Sequence, residues 1–171
     1  MADTAEEHAL LPQSQMGARK NRSTLSALTL LAATIKSAWA MRRDFVVSML
    51  SLDISGAYDN VPHKRLLYIL RAKGFPEWII QFVQGFTGQK ETSLVFSGYQ
   101  SPPITVATGI PQGSPLSPIL FLFFISNLLN SFKEGATQGI GFVDDTNLII
   151  YGPIAAENYR TLEKAYNTYI E

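Results

Sequence analysis

Cysteine is absent from this chain of 171 residues, which excludes a disulfide framework and any cysteine-ligated zinc or iron–sulfur site. Histidine is almost absent. His8 and His63 stand alone, too few for a multi-histidine metal centre. Charge is sparse too, at 16% of residues against roughly 25% in typical proteins. Apolar residues make up 46%, so the chain lacks the low-apolar, high-charge signature of disorder. Long hydrophobic runs are also missing. The longest, Ile119–Ile125, falls far short of the roughly 20 residues a spanning helix needs, and no membrane partner is expected. Asp3, Glu6 and Glu7 at the start do not fit a signal or transit peptide. The expectation is a soluble, single-domain protein of a reducing compartment.

What charge there is sums to zero, but unevenly. Residues 1–90 carry net +4 and residues 91–171 net −4, and the window 19–73 alone reaches +7. Such asymmetry points to an anionic partner for one part of the chain. Between Lys90 and Arg160 the only basic residue is Lys133. A buried carboxylate in that stretch has no cationic neighbour in sequence.

The patterning reads as helix, strand, two helices, two strands, helix, hairpin and helix, an α+β sandwich with helices on one sheet face. Residues 12–22 form a polar, basic loop. Ser23 or Thr24 caps a helix with apolar residues at Leu25, Leu28, Leu31, Ile35 and Trp39. Phe45–Ile54 is a buried strand ending near Asp53. Pro62 and Pro76 open two helices. Thr92–Ser97 and Ile104–Thr108 form a strand pair. Ser114 and Pro115 start a long helix, buried because it is apolar nearly all round from Ile119 to Ile125. Ile140–Val143 and Asn147–Tyr151 form a hairpin turning at Asp144-Asp145, and a last helix runs to Glu171. Trp39, Trp78 and the phenylalanines of 121–124 are expected in the core, and His63 at the surface.

Chemistry concentrates in few carboxylates. Asp144 and Asp145 sit between buried-strand sequences, where two adjacent negative charges repel and are costly to desolvate unless paired. With no cation nearby in sequence, a divalent metal is the economical partner; a solvated hairpin turn is the plainer alternative. Asp53 ends a second apolar strand, where it either joins the pair or caps a turn. Carboxylates from two neighbouring strand ends can hold two Mg²⁺ ions for in-line phosphoryl transfer.

These residues fall into recognisable strings. Leu-Asp53-Ile-Ser-Gly-Ala-Tyr58-Asp59, Gly109-Ile-Pro-Gln112-Gly113-Ser-Pro-Leu-Ser-Pro118 and Phe142-Val-Asp144-Asp145 resemble three successive palm motifs of reverse transcriptases, in particular those of non-LTR (LINE-like) retrotransposons. Gln15-Met-Gly-Ala-Arg19-Lys-Asn-Arg22-Ser-Thr24 is similar to that group's fingers-region motif. The order and spacing match from about residue 6 onward. Family members often carry Phe where this chain has Ala18, which puts local packing in question.

The resemblance implies a polymerase palm-type (ferredoxin-like) antiparallel sheet with helices on one face, plus part of the fingers. It makes residues 1–171 one partial domain, with 1–44 on the fingers side and 45–171 on the palm side, helices 62–88 being inserted. It implies an RNA-directed DNA polymerase using two Mg²⁺ ions (or Mn²⁺), an RNA template, a DNA primer and deoxynucleoside triphosphates. Asp53, Asp144 and Asp145 would be catalytic metal ligands, and Ile54 would lend its backbone carbonyl. Tyr58 would be the steric gate against ribonucleotides, or else a core aromatic. Gln112 and Gly113 would lie at the nucleotide, and Arg19 would bind nucleotide or nucleic acid together with Lys20 and Arg22. A degenerate relic is the alternative, and Tyr58 argues against an RNA-dependent RNA polymerase. The chain is expected to be a central slice of the enzyme, inactive or barely active alone.

Overall fold

The computed structural model describes residues 1–88, 90–106, 108–131 and 137–170. They divide into two compact units: residues 1–55 with 125–171, and residues 56–124.

The first unit is built on a three-stranded antiparallel sheet in the order β1 (Val46–Leu52), β7 (Asp145–Gly152), β6 (Thr137–Phe142). Register is continuous, from Val46 opposite Gly152 to Leu52 opposite Thr146. Alternate side chains take opposite faces. On one face Leu148 and Ile150 pack with Leu162 of α6 (Ala155–Ile170), with Leu50, Leu52 and Leu128 around them. Leu128 belongs to α5 (Leu116–Ser131), so α5 and α6 share this face. Helix α2 (Thr24–Met41) lies on the other, where Thr34 donates to the Gln138 side chain at 2.9 Å. Asn158 of α6 ties the edge by donating to the Val46 carbonyl at 2.9 Å.

Sequence chemistry explains the helix starts. Ser23 caps α2 in a reciprocal box with Ser26. Pro62 and Pro76 stand at the N-caps of α3 (His63–Ala72) and α4 (Glu77–Thr87), which pack together in the second unit around Leu66, Leu70, Ile80 and Val83. Phe121 and Phe123 of α5 are fully buried, and Phe123 meets Phe75 edge-on with 5.1 Å between centroids.

Several expectations are corrected. β1 is an edge strand, not a buried one, and Met49 is half exposed. Trp39 and Trp78 are mostly exposed rather than core: the one indole reaches out to donate to the Phe45 carbonyl, and the other stands on the outer face of α4. His63 is half-buried and bonds the Gly109 carbonyl at 2.7 Å. The strand pair around Gly98 resolves into two ladders, β2 (Lys90–Thr92) with β5 (Ile104–Val106), and β3 (Val95–Phe96) with β4 (Tyr99–Gln100). Left-handed Ser97 and Gly98 make the inner turn. A short helix α1 (Ala2–Glu7) was not foreseen. Finally, α2 is long and apolar enough, by length and composition, to cross a bilayer (18 residues, mean hydropathy 1.2). Only Thr34 and Ala38 of this helix are buried.

Residues 12–22 are not a solvated loop. The Arg19 side chain is buried and forks onto Glu6 at 2.6 and 2.7 Å, while also donating to the Pro12 carbonyl at 2.6 Å. That hydrogen bond holds the Glu6 carboxyl below its ordinary pKa against the opposing effect of burial. Arg19→Ala strands Glu6 and the Pro12 carbonyl and is expected to cost about 3 kcal/mol in urea unfolding at neutral pH. Glu6 is partly solvated, so Glu6→Gln is expected to cost only about 1 kcal/mol. Because the folded-state pKa is depressed, the pair's contribution is complete above the ordinary Glu range and fades as pH falls below it. The gap between wild type and Glu6→Gln should therefore close in acid.

Candidate active site

The hairpin β6–β7 carries the acidic pair. Phe142 pairs with Asp145, so the turn consists of Val143 and Asp144, one residue earlier than the sequence suggests. Val143 adopts φ +59°, a left-handed conformation that is costly for a β-branched side chain. Asp144 is half-buried in the turn, while Asp145 is exposed at the first position of β7.

Asp53 follows β1 by one residue and is exposed; Ile54 after it is half-buried. Leu52 pairs with Thr146, so Asp53 and Asp145 occupy the next position on adjacent strands. Both line one cavity of about 450 Å³, together with Ser51, Phe142, Asn147 and the first turns of α2 at Thr24, Ala27 and Leu28. The helix N-terminus, which favours anions, opens on the same space. Among the described residues no ion pair involves Asp53, Asp144 or Asp145. No three acidic, histidine or cysteine side chains among them converge as a ready-made metal cage. Mg²⁺ commonly takes one or two carboxylates and completes its shell with water and substrate phosphate. Two exposed strand-end carboxylates on a cavity, without a cation of their own, fit that mode.

The basic residues sit differently from one another. Arg19 spends its guanidinium on Glu6 and the Pro12 and Gln15 carbonyls. Arg22 donates to the Gln13 carbonyl and, at 2.6 Å, to its side chain. Lys20 is exposed, as is Ala18, which takes a left-handed φ of +52°.

Tyr58, Gln112 and Gly113 belong to the second unit. Tyr58 is half-buried and stacks on Phe121 with 5.3 Å between centroids. The loop after Thr108 is zipped to residues 58–63: Gly109 N–H donates to the Val61 carbonyl and Ile110 N–H to the Tyr58 carbonyl. Gly109 has φ +90°, and a Cβ there would lie 3.0 Å from the Asp59 carbonyl oxygen. Gln112 is exposed and donates to Asp59 at 3.0 Å; Gly113, also left-handed, is open to solvent.

Sequence reasoning missed what supports the acidic turn. Residues 14–16 run beside β6: Met16 N–H donates to the Gly141 carbonyl at 2.8 Å, and Gly141 N–H to the Ser14 carbonyl at 3.0 Å. Gly17 lies against the turn itself, where a Cβ would come within 2.5 Å of the Val143 backbone nitrogen. The Gln15 side chain is fully buried and reaches the Val143 carbonyl at 3.4 Å. The readable signal was Gly139-x-Gly141 inside a strand, since interior strand glycines mark close backbone approach.

The family model described as reverse transcriptase (RNA-dependent DNA polymerase) matches residues 1–169. The Pol polyprotein from the type-1 retrotransposable element R2 of Popillia japonica is 31% identical over 142 residues, covering 82% of this chain and 19% of that protein. That of the type-2 element R2DM of Drosophila melanogaster is 36% identical over 103 residues, covering 56% and 10%. The chain thus spans a fifth or less of these curated relatives. Apo telomerase from Candida tropicalis, truncated from its C-terminal domain, superposes with a TM-score of 0.65 at 14% identity, covering 89% of this chain and 32% of that one; the likeness is one of fold.

Two glycines give opposite expectations. Gly17→Ala pushes a methyl into the Val143 backbone and should cost about 1–3 kcal/mol. Gly85→Ala, inside α4 with nothing within 4 Å of the added atom, should stabilise by about 0.5–1 kcal/mol. Denaturant midpoints of the two variants check the contrast.

Proposed function

Since the chain belongs to the reverse transcriptase family, we propose that it is the catalytic part of an RNA-directed DNA polymerase of a non-LTR retrotransposon. The observation that carries this reading is the placement of Asp53 and Asp145, one position beyond the Leu52–Thr146 pair, on one cavity, with Asp144 in the turn beside them. In the reaction a primer 3′-hydroxyl oxygen bonds to the α-phosphorus of a deoxynucleoside triphosphate. The α–β phosphoanhydride breaks, and pyrophosphate leaves.

Asp53, Asp144 and Asp145, with the Ile54 carbonyl, would hold two divalent ions, Mg²⁺ or alternatively Mn²⁺. These would neutralise developing phosphate charge and favour deprotonation of the attacking hydroxyl. The protein's own contribution is placement. Strand register puts Asp53 and Asp145 one position beyond the Leu52–Thr146 pair, and the N-terminal turn of α2, its Ser26 N–H already capped by Ser23, lends the positive end of its dipole to triphosphate oxygens. Contact with template and primer phosphates is assigned first to Lys20, because the Arg19 guanidinium would have to leave Glu6 and that of Arg22 would have to leave Gln13. The motif resemblance supports Tyr58 as the gate against ribonucleotides, and Gln112 and Gly113 as residues at the incoming nucleotide.

The test is Mg²⁺-dependent extension of a DNA primer on an RNA template by the full reading frame that contains this chain. Asp144→Asn is expected to lower extension at least a thousandfold while leaving the thermal midpoint within a few degrees; retained extension overturns the metal assignment. Tyr58→Ala is expected to raise ribonucleotide incorporation relative to deoxynucleotide by at least tenfold. Absence of extension by the wild-type frame identifies a relic. Binding is read on this chain alone, where Mn²⁺ should broaden the amide resonances of Asp53 and Asp145 and not those of Asp44.

A further inference from the structure

Resting on the polymerase reading above, we propose that Gln15 and Thr146 form a buried polar pair, joined directly or through one water, that positions the turn bearing Asp144 and Asp145. Both are then positioning residues for nucleotidyl transfer. They touch neither substrate nor metal.

The geometry starts from Gly141. It stands opposite Thr146 in the β6–β7 ladder, and directly opposite residues project their side chains from the same face, with Cβ atoms about 4.5–5.5 Å apart. Gly141 has no side chain to fill its half of that pair. A Cβ built there would lie 1.9 Å from Gln15 Oε1 and 2.7 Å from a Leu129 methyl. The Gln15 amide therefore occupies the side-chain place of Gly141, as the cross-strand neighbour of Thr146.

Both groups are dry: Gln15 is 0% and Thr146 1% exposed. Gln15 Oε1 and Thr146 Oγ1 are the two buried side-chain atoms without a hydrogen-bond partner among the described residues. One is an obligate acceptor and the other carries a hydroxyl proton. Leaving both unmet in a protein interior is costly, and buried polar groups are almost always paired with each other or with a bound water. The segment carrying Gln15 is fixed in place by the reciprocal bonds of Ser14 and Met16 to Gly141, which anchors the amide in the side-chain place of Gly141.

Position gives the pair its consequence. Gln15 Nε2 donates to the carbonyl of Val143, the residue before Asp144, at 3.4 Å. Thr146 is the residue after Asp145. One amide thus holds both flanks of the acidic dipeptide, at a turn whose Val143 is in an unfavourable conformation and would otherwise relax.

The test has two arms. In the full reading frame, Gln15→Met and Thr146→Val are each expected to lower kcat about tenfold with KM for the nucleotide unchanged. The double variant should also fall about tenfold, and Thr146→Ser should recover the loss. A hundredfold drop in the double variant, or a loss carried by KM, overturns the proposal. On this chain alone, the Gln15 side-chain NH₂ should give resolved, slowly exchanging resonances that move on Thr146→Val. Exchange at the solvent rate, or resonances unmoved by Thr146→Val, overturns it equally. This second arm decides the pair even if Gln15→Met fails to fold. It also separates the two ideas, because loss of the polymerase reading (extension retained in Asp144→Asn, or none in wild type) leaves the exchange result standing.

Discussion

The first unit depends on a close backbone contact between the segment 14–17 and the strand β6 with its turn. Two glycines make the contact. Gly141 gives up its side-chain volume to Gln15, and Gly17 brings the chain against the Val143 nitrogen. Everything upstream serves to hold that segment down: α1 supplies Glu6, Glu6 holds Arg19, and Arg19 gathers the carbonyls of Pro12 and Gln15. A short helix with one buried residue, Ala5, is thereby linked to the position of a turn more than a hundred residues away.

The charge pattern takes a different meaning once these contacts are known. The positive excess of residues 19–73 suggested a surface for anions. Arg19 and Arg22 are committed to internal bonds instead, so the basic segment is partly structural. The acidic residues show the reverse. Asp53 and Asp145 face a shared cavity with no counter-ion among the described residues, while Asp44 and Glu77 are each paired with a local arginine. Other carboxylates also stand outside ion pairs, so it is the meeting of two of them on one cavity, rather than net charge, that singles out this candidate site.

Local chemistry was legible in the sequence and lateral position was not. Ser23, Pro62 and Pro76 marked helix starts because capping and proline geometry act within one turn. The apolar run from Ile119 to Ile125 marked a buried helix because no face of it is polar. The strand 45–54 looked buried because periodicity reports side-chain character, whereas edge or centre is decided by which strands pair. Trp39 and Trp78 looked like core for a similar reason: indole is apolar by composition, but here each ring lies on an outer helix face. At the candidate site, Asp53, Asp144 and Asp145 stand out in the sequence because adjacent carboxylates in apolar flanks need an explanation, and the structure brings Asp53 and Asp145 to one cavity. Gln15 was visible only as one letter of a motif, since its role comes from burial against Gly141.

The turn itself shows why such support is needed. A two-residue hairpin loop normally takes Gly, Asn or Asp where φ is positive, and Val143 satisfies none of these. Its conformation costs of the order of 1–2 kcal/mol, which a glycine would remove. A glycine would also free the backbone between Phe142 and Asp144 and widen the range of directions open to the acidic side chain. Strain held by packing from Gly17 and by the Gln15 amide keeps Asp144 to one backbone setting. Under the proposed metal assignment, a carboxylate that would meet a cation with near-octahedral demands gains more from a fixed backbone than the fold loses to one strained valine.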